Sequence, residues 1–301
     1  MKNEVVDVND VVCYSSCRIA ASRAVETERG DDALVKDPLA FILASSALQE
    51  RKEKYSDTTD STWRIAIRTK YFDDYVESKR DVTEQVVLLG AGMDTRAHRL
   101  LLGTDVIFYE LDQQNVLDWK TKLLNLALSS NSNGRDDDIL RNMIQYGNER
   151  TRRIGCNLES QDGKGWGDDL SQSDFDPKKS TLWILEGLTY YLLNDTVVSN
   201  LFQTMRQMSS GSTSSSSSSS CIVSIATRSS VQRASSSSTD KLMQAWKWGH
   251  DDPNTFLLQN GWNCEDVVTL GDESKANYGR YPQTMNNKKS GIMYVTATLK
   301  L

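Results

Sequence analysis

The sequence predicts an α/β fold with a doubly wound, mostly parallel sheet, and three stretches carry that expectation. Val86-Val87-Leu88-Leu89 is an unbroken apolar run closed by Gly90-Ala91-Gly92. Residues 106–111, VIFYEL, form a second run with acids at its tip, Glu110 and Asp112. Residues 182–185, LWIL, form a third, followed at once by Glu186-Gly187. Continuous apolar strands suit a parallel sheet covered by helices on both faces. Glycines and acids at strand carboxyl ends suit the ligand-binding edge of such a sheet.

The first stretch organises the rest. Two glycines allow unusual dihedrals and a close approach of backbone to ligand. Residues 94–102 can start a helix, with Asp94 or Thr95 as N-cap. Strand, glycine turn and helix N-terminus together make a nucleotide-type cradle. The dinucleotide fingerprint wants glycine or alanine where this chain has Thr95, so it is incomplete. A carboxylate at the tip of the second strand can accept both ribose hydroxyls. NAD and S-adenosylmethionine share that ribose, so the acid does not choose between them, and a plain turn with a solvated acid is the third reading.

The length of 301 residues suits one large α/β domain or two small ones, with a sizeable core. A net charge of -6 predicts no nucleic-acid surface, although Arg150, Arg152 and Arg153 make a local basic group. No apolar run approaches the roughly 20 residues of a membrane span, and the acidic N-terminus lacks a signal-type apolar region. The expectation is a cytoplasmic protein without membrane attachment. Five cysteines, an odd and sparse set, argue against a disulfide framework. Cys13 and Cys17 read as reduced thiols on one helix face. With only His98 and His250 to complete a site, no metal is expected.

In chain order, residues 12–30 read as a helix carrying Arg18 and Arg23, and 39–48 as an apolar helix after Pro38. In 63–76, WRIAIRTKYFDDYV, Trp63, Ile67 and Tyr71 recur every four residues, an amphipathic helix that places Arg64 and Arg68 one turn apart. Residues 115–128 read as a helix, 139–146 as a short strand, 152–158 as another, and 163–169 as a glycine-rich loop before a short helix. Asp195 opens a helix over 196–208. The serine runs near 209–220 and 234–239 lack the apolar content to offset ordering entropy and are expected to be disordered insertions. Residues 221–227 read as a strand and 242–248 as a helix. Residues 256–258 with Gly261 read as a helix ended by a glycine cap, and 291–300 as a last strand at the sheet edge.

Together, QVVLLGAGMDTRAHRL, FYELDQQNVLDWK and LWILEGLTYYL resemble the leucine carboxyl methyltransferase family, and specifically its bacterial-type S-adenosylmethionine-dependent branch. SRAVET, KDPLA, RTKYFDD and a late YGR occur in the family's order, so the resemblance spans most of the chain. It implies a seven-strand Rossmann-like methyltransferase sheet over 81–301 under a helical N-terminal lid formed by 1–80, the whole as one domain. It also implies S-adenosyl-L-methionine as cofactor. Arg68 then matches the arginine that meets the methionine carboxylate, and Glu186 the acid beside the amino group. Gly90, Ala91 and Gly92 with Asp94 match the cradle, and Asp112 the ribose acid. Arg23 matches an N-terminal cationic residue, and Tyr191 the tyrosine after the EG turn. Asn157-Leu158 stands where the family has Asp-Leu, which loses a charge but keeps hydrogen-bonding capacity toward adenine.

A sulfonium methyl is already activated, and a carboxylate acceptor is ionised at pH 7. No general base is then needed, in keeping with a chain that has two histidines and no catalytic histidine motif. A hydroxyl acceptor would need a base, with Tyr190, Tyr191 or Glu186 as the places to look. The expected function is methyl transfer to a carboxylate of a small molecule or a protein C-terminus. A catalytically silent cofactor-binding or scaffold protein is the second reading and an NAD enzyme the third.

Overall fold

A computed structural model describes residues 11–54, 62–103, 105–130, 135–160, 165–211, 219–238, 240–282 and 290–300. Among them the strands are β1 (Gln85–Leu89), β2 (Ile107–Asp112), β3 (Thr151–Gly155), β4 (Thr181–Leu185), β5 (Ser220–Ala226), β6 (Trp262–Thr269) and β7 (Ile292–Leu299). The helices are α1 (Val11–Thr27), α2 (Ala40–Leu43), α3 (Ala47–Lys54), α4 (Trp63–Ser78), α5 (Arg96–Arg99), α6 (Gln114–Leu128), α7 (Arg135–Glu149), α8 (Trp166–Ser171), α9 (Asp195–Met208), α10 (Arg228–Ser237), α11 (Lys241–Gln244) and α12 (Pro253–Gln259). The strand order is β3-β2-β1-β4-β5-β7-β6, parallel except where β7 runs antiparallel to β5 and β6.

The alternation of the β1 side chains builds the two core layers. Val86 and Leu88 join Trp63, Ile67, Phe72 and Val76 of α4 on one face. Val87 and Leu89 join Val197, Val198, Leu201, Phe202 and Met205 of α9 on the other. Every residue of β1, β4 and β5 is buried, as expected for a covered parallel sheet. A third cluster lies under α1, where Cys13, Cys17, Ala20 and Ala21 meet Leu39, Leu43, Val116, Leu124 and Ile144. A helical N-terminal region is thus present, as expected, in the part of the chain that the family resemblance assigns to a lid.

The α/β class and the doubly wound sheet are as the sequence predicts, but several elements differ. Residues 139–146 are helical, within α7, because Leu140 and Ile144 bury one face while Ile139 stays 53% exposed. That is a helical period in a short apolar run. Strand β6 was not anticipated. Its face alternates poorly, a bulge interrupts it between Cys264 and Asp266, and Glu265 and Asp266 guard it as a sheet edge. Strand β7 is therefore internal rather than the edge. Helix α5 is a single turn, and only 241–244 of the expected 242–248 helix forms.

The serine runs are corrected at both ends. Ser209 is buried and its Oγ accepts a 2.9 Å hydrogen bond from the Trp183 indole, while Ser220 starts β5. Residues 235–237 complete α10. Residues 212–218 and 239 lie outside the described residues. Among the described residues, no helix is long and apolar enough to cross a membrane.

His98 is buried on α5 against Gly147. Burial lowers its pKa from the ordinary 6.5 to about 4. The folded chain therefore holds His98 neutral, and the unfolded chain takes up its proton first as pH falls. Stability is full above pH 6.5 and falls between 6.5 and 4 by about 3 kcal/mol. Urea unfolding across that range should show a shallower loss for His98→Gln than for the wild type. Parallel pH profiles would contradict this.

Candidate functional site

The strand order reverses between β1 and β4, and ligands of doubly wound sheets bind outside the carboxyl ends at that point. Here the Gly90-Ala91-Gly92 turn leaves β1 and Glu186-Gly187 leaves β4, side by side. A cavity of about 430 Å³ opens between them. All eleven residues singled out from the sequence line it: Arg23, Arg68, Gly90, Ala91, Gly92, Asp94, Asp112, Asn157, Leu158, Glu186 and Tyr191.

Glycine is required at two of these positions for a stated reason. Gly92 sits at φ +47°, and a Cβ there would come within 3.0 Å of Ser16 Cβ on α1. Gly187 sits at φ +74°, and its Cβ would come within 3.1 Å of Arg68 Nη1 and 3.2 Å of Tyr190 Oη. Both conformations favour glycine, and both let backbone approach the cavity. The turn is fixed by the neighbouring strand, since the Gly90 and Ala91 amides donate to Leu111 O at 2.9 and 3.1 Å. Gly92 N then donates to Asp112 Oδ2 and Gln113 N to Oδ1, each at 2.7 Å. Burial raises the Asp112 pKa against these amide bonds. Each oxygen keeps lone-pair capacity for a further donor.

At the other side, Glu186 is clamped by two guanidiniums. Arg68 Nε donates to Oε1 at 2.8 Å and Arg96 Nη2 to Oε2 at 2.6 Å. Burial alone would raise the Glu186 pKa, but Arg96 and Arg68 hold it below the usual carboxylate range. Arg68 Nη1 also donates to Tyr190 Oη at 3.2 Å, while its Nη2 makes no hydrogen bond among the described residues. Arg96 Nε donates to Asp73 Oδ1 at 2.8 Å, and its Nη1 pairs with Asp94. Arg99 forks onto the same Asp73 at 2.6 and 2.8 Å and reaches Thr95 Oγ1 at 3.0 Å. Thr95 Oγ1 donates to Asp37 Oδ2 at 2.7 Å, and Arg23 Nε reaches that oxygen at 2.8 Å. One chain of charge thus runs from Tyr190 to the lid.

Sequence reasoning missed Arg96. Its partners Asp73 and Glu186 lie 23 and 90 residues away, so no local pattern signals it. Arg18 lies on the helix expected over 12–30, where a solvated face is the usual place for an arginine. Its guanidinium instead forks onto Asp240 at 3.0 and 2.9 Å, joining α1 to α11 beside the cavity. Asn157 Oδ1 accepts from Glu159 N at 3.0 Å, a local turn at the exposed end of the cavity. Tyr191, Leu192, Leu242, Ala245 and Lys247 also line the cavity. Burial pushes Tyr191 up to about 12. Neither histidine lines the cavity.

A family model described as leucine carboxyl methyltransferase matches residues 16–206. A Mycobacteroides abscessus protein named "Putative S-adenosyl-L-methionine-dependent methyltransferase" is 26% identical over 314 aligned positions, covering 97% of this chain and 94% of that protein. A Streptomyces avermitilis protein of the same description is 29% identical over 87% of this chain and 86% of its own length. A Mycobacterium avium relative is 30% identical over 67% and 63%.

Removing Arg96 would leave Asp94 without an ion-pair partner among the described residues and would take from Glu186 and Asp73 one of the two guanidiniums that each holds. Breaking a buried pair from one side costs about 3–5 kcal/mol. Arg96→Met should lose stability on that scale in urea unfolding, and Arg96→Lys should recover it only in part because lysine lacks the planar fork. A loss below about 1 kcal/mol for Arg96→Met would contradict the clamp.

Proposed function

The chain belongs to the leucine carboxyl methyltransferase family, and on that premise we propose that it is an S-adenosyl-L-methionine-dependent O-methyltransferase acting on a carboxylate. The residues present fit that cofactor. The glycine turn is a cradle that a Cβ at Gly92 would fill. Asp112 has lone pairs for the ribose hydroxyls, and Asn157-Leu158 lines the cavity where adenine would lie. Arg68 Nη2 offers two donors to the methionine carboxylate, and Glu186 offers acceptors to the ammonium. Asp94, with Gly90 and Ala91, completes the cradle, and Arg23 holds the lid to it through Asp37 and Met93 O, the latter at 2.5 Å.

When bound, S-adenosylmethionine supplies a methyl group on a sulfonium, already activated for in-line displacement. What the protein must add is position and dryness. Holding the reacting atoms in line is worth up to roughly 7–11 kcal/mol, and the apolar wall around Tyr191 and Leu192 excludes water from a reaction in which charge is neutralised.

A carboxylate acceptor is favoured by the engagement of Glu186, an acid expected as a base, and by a cavity lined by no histidine among the described residues. Glu186 is held ionised and engaged by Arg68 and Arg96, and Tyr191 is pushed up to about 12, so it stays protonated at pH 7. A hydroxyl acceptor would find no lining histidine to take its proton. A carboxylate needs none. Tyr191 then serves as a wall and hydrogen-bond donor rather than a base, and Glu186 as a cofactor anchor. The same absence leaves open both a metabolite and a peptide C-terminus as acceptor.

The test is transfer of labelled methyl from the cofactor over a carboxylic-acid mixture and a protein extract, followed by mild alkali. Methyl esters should release volatile labelled methanol. Label that survives alkali would contradict the carboxylate reading, and no transfer would favour a silent cofactor-binding protein.

A further inference from the structure

We propose that Lys247 is the specificity-determining cation that holds the acceptor's carboxylate, and that the acceptor is an acid with an apolar body. This rests on the carboxylate reading above and goes beyond it by naming the counter-charge.

The argument is one of elimination among cations. Three line the cavity: Arg23, Arg68 and Lys247. Arg23 is paired with Asp37 at 2.8 Å, and Arg68 with Glu186 at 2.8 Å. Both lie within the connected charges on the cofactor side. Lys247 has no carboxylate partner among the described residues. Among the lining cations Lys247 is thus the one without a carboxylate partner among the described residues, and an incoming carboxylate is attracted to such a charge.

The Lys247 side chain is exposed at the cavity, and its backbone is placed. Its backbone N–H donates to Tyr190 O at 2.7 Å, and that of Trp248 to the same oxygen at 3.3 Å. The Tyr190 and Trp246 rings pack with centroids 4.5 Å apart. These contacts hold the segment after α11 against the turn that follows β4, beside Tyr191. The neighbouring lining residues Leu192, Leu242 and Ala245 are apolar. An ammonium on a flexible stem beside such a wall selects a molecule with an apolar body and one anionic end. A hydrated ammonium, unlike a bidentate guanidinium, leaves carboxylate lone pairs available to react.

The experiment uses the full chain saturated with S-adenosylhomocysteine and two probe pairs, 4-phenylbutyrate with 4-phenylbutanamide and hexanoate with hexanamide, titrated by calorimetry. The wild type should prefer each acid over its amide by about five- to tenfold. Lys247→Gln should abolish that preference while leaving S-adenosylhomocysteine affinity and the unfolding midpoint unchanged. Lys247→Arg should keep most of it, and Lys247→Glu should reverse it. Acid preference retained in Lys247→Gln overturns the assignment to Lys247. No acid preference in the wild type, including failure to bind either acid, overturns the anionic acceptor itself. Failure to bind S-adenosylhomocysteine overturns the cofactor reading instead.

Discussion

Two guanidiniums closing on one carboxylate hold this site together. Glu186 stands at the carboxyl end of β4, Arg68 comes from α4, and Arg96 from the turn after β1. Each is buried or nearly so, and a buried charge persists only if it is paired and hydrogen-bonded. The clamp therefore joins three elements that no local rule would bring together. Through Asp73, Arg99, Thr95, Asp37 and Arg23 it extends to the lid. Interfering with it would loosen the helix, the glycine turn and the lid at once.

The same arrangement divides the cavity chemically. The side formed by the glycine turn and the end of β4 is crowded with engaged carboxylates: Asp112 held by two backbone amides, Glu186 by two arginines. The cavity lining also includes Tyr191, Leu192, Leu242 and Ala245, with Lys247, which has no acidic partner among the described residues. Polar groups already engaged in fixed geometry cost little reorganisation when a ligand arrives. Groups so engaged are also poor proton acceptors, and the proposal of an acceptor that arrives already ionised rests on this.

Much of the site was legible in the sequence because it lies next to strand ends. A run such as Val86–Leu89 closed by glycines announces a strand and its turn by local chemistry, and Asp112 and Glu186 follow their strands directly. Arg96 and Lys247 were not legible, since their roles depend on partners far along the chain. Lys247 lines the cavity in a segment whose amide bonds to Tyr190 O, 57 residues earlier. Strand β6 was hidden by charges that protect an edge, and α7 by an apolar run too short to reveal its period. Serine composition misled at Ser209, where a single hydroxyl satisfies a buried indole. Composition averages over a tract and cannot see one such contact.

The most direct measurement is calorimetric titration of the wild-type chain and of Arg68→Ala and Asp112→Ala with S-adenosylhomocysteine. The account predicts one site per chain in the wild type and at least about a tenfold loss of affinity, some 1.4 kcal/mol, in each variant. No binding to the wild type, or unchanged affinity in both variants, would contradict it.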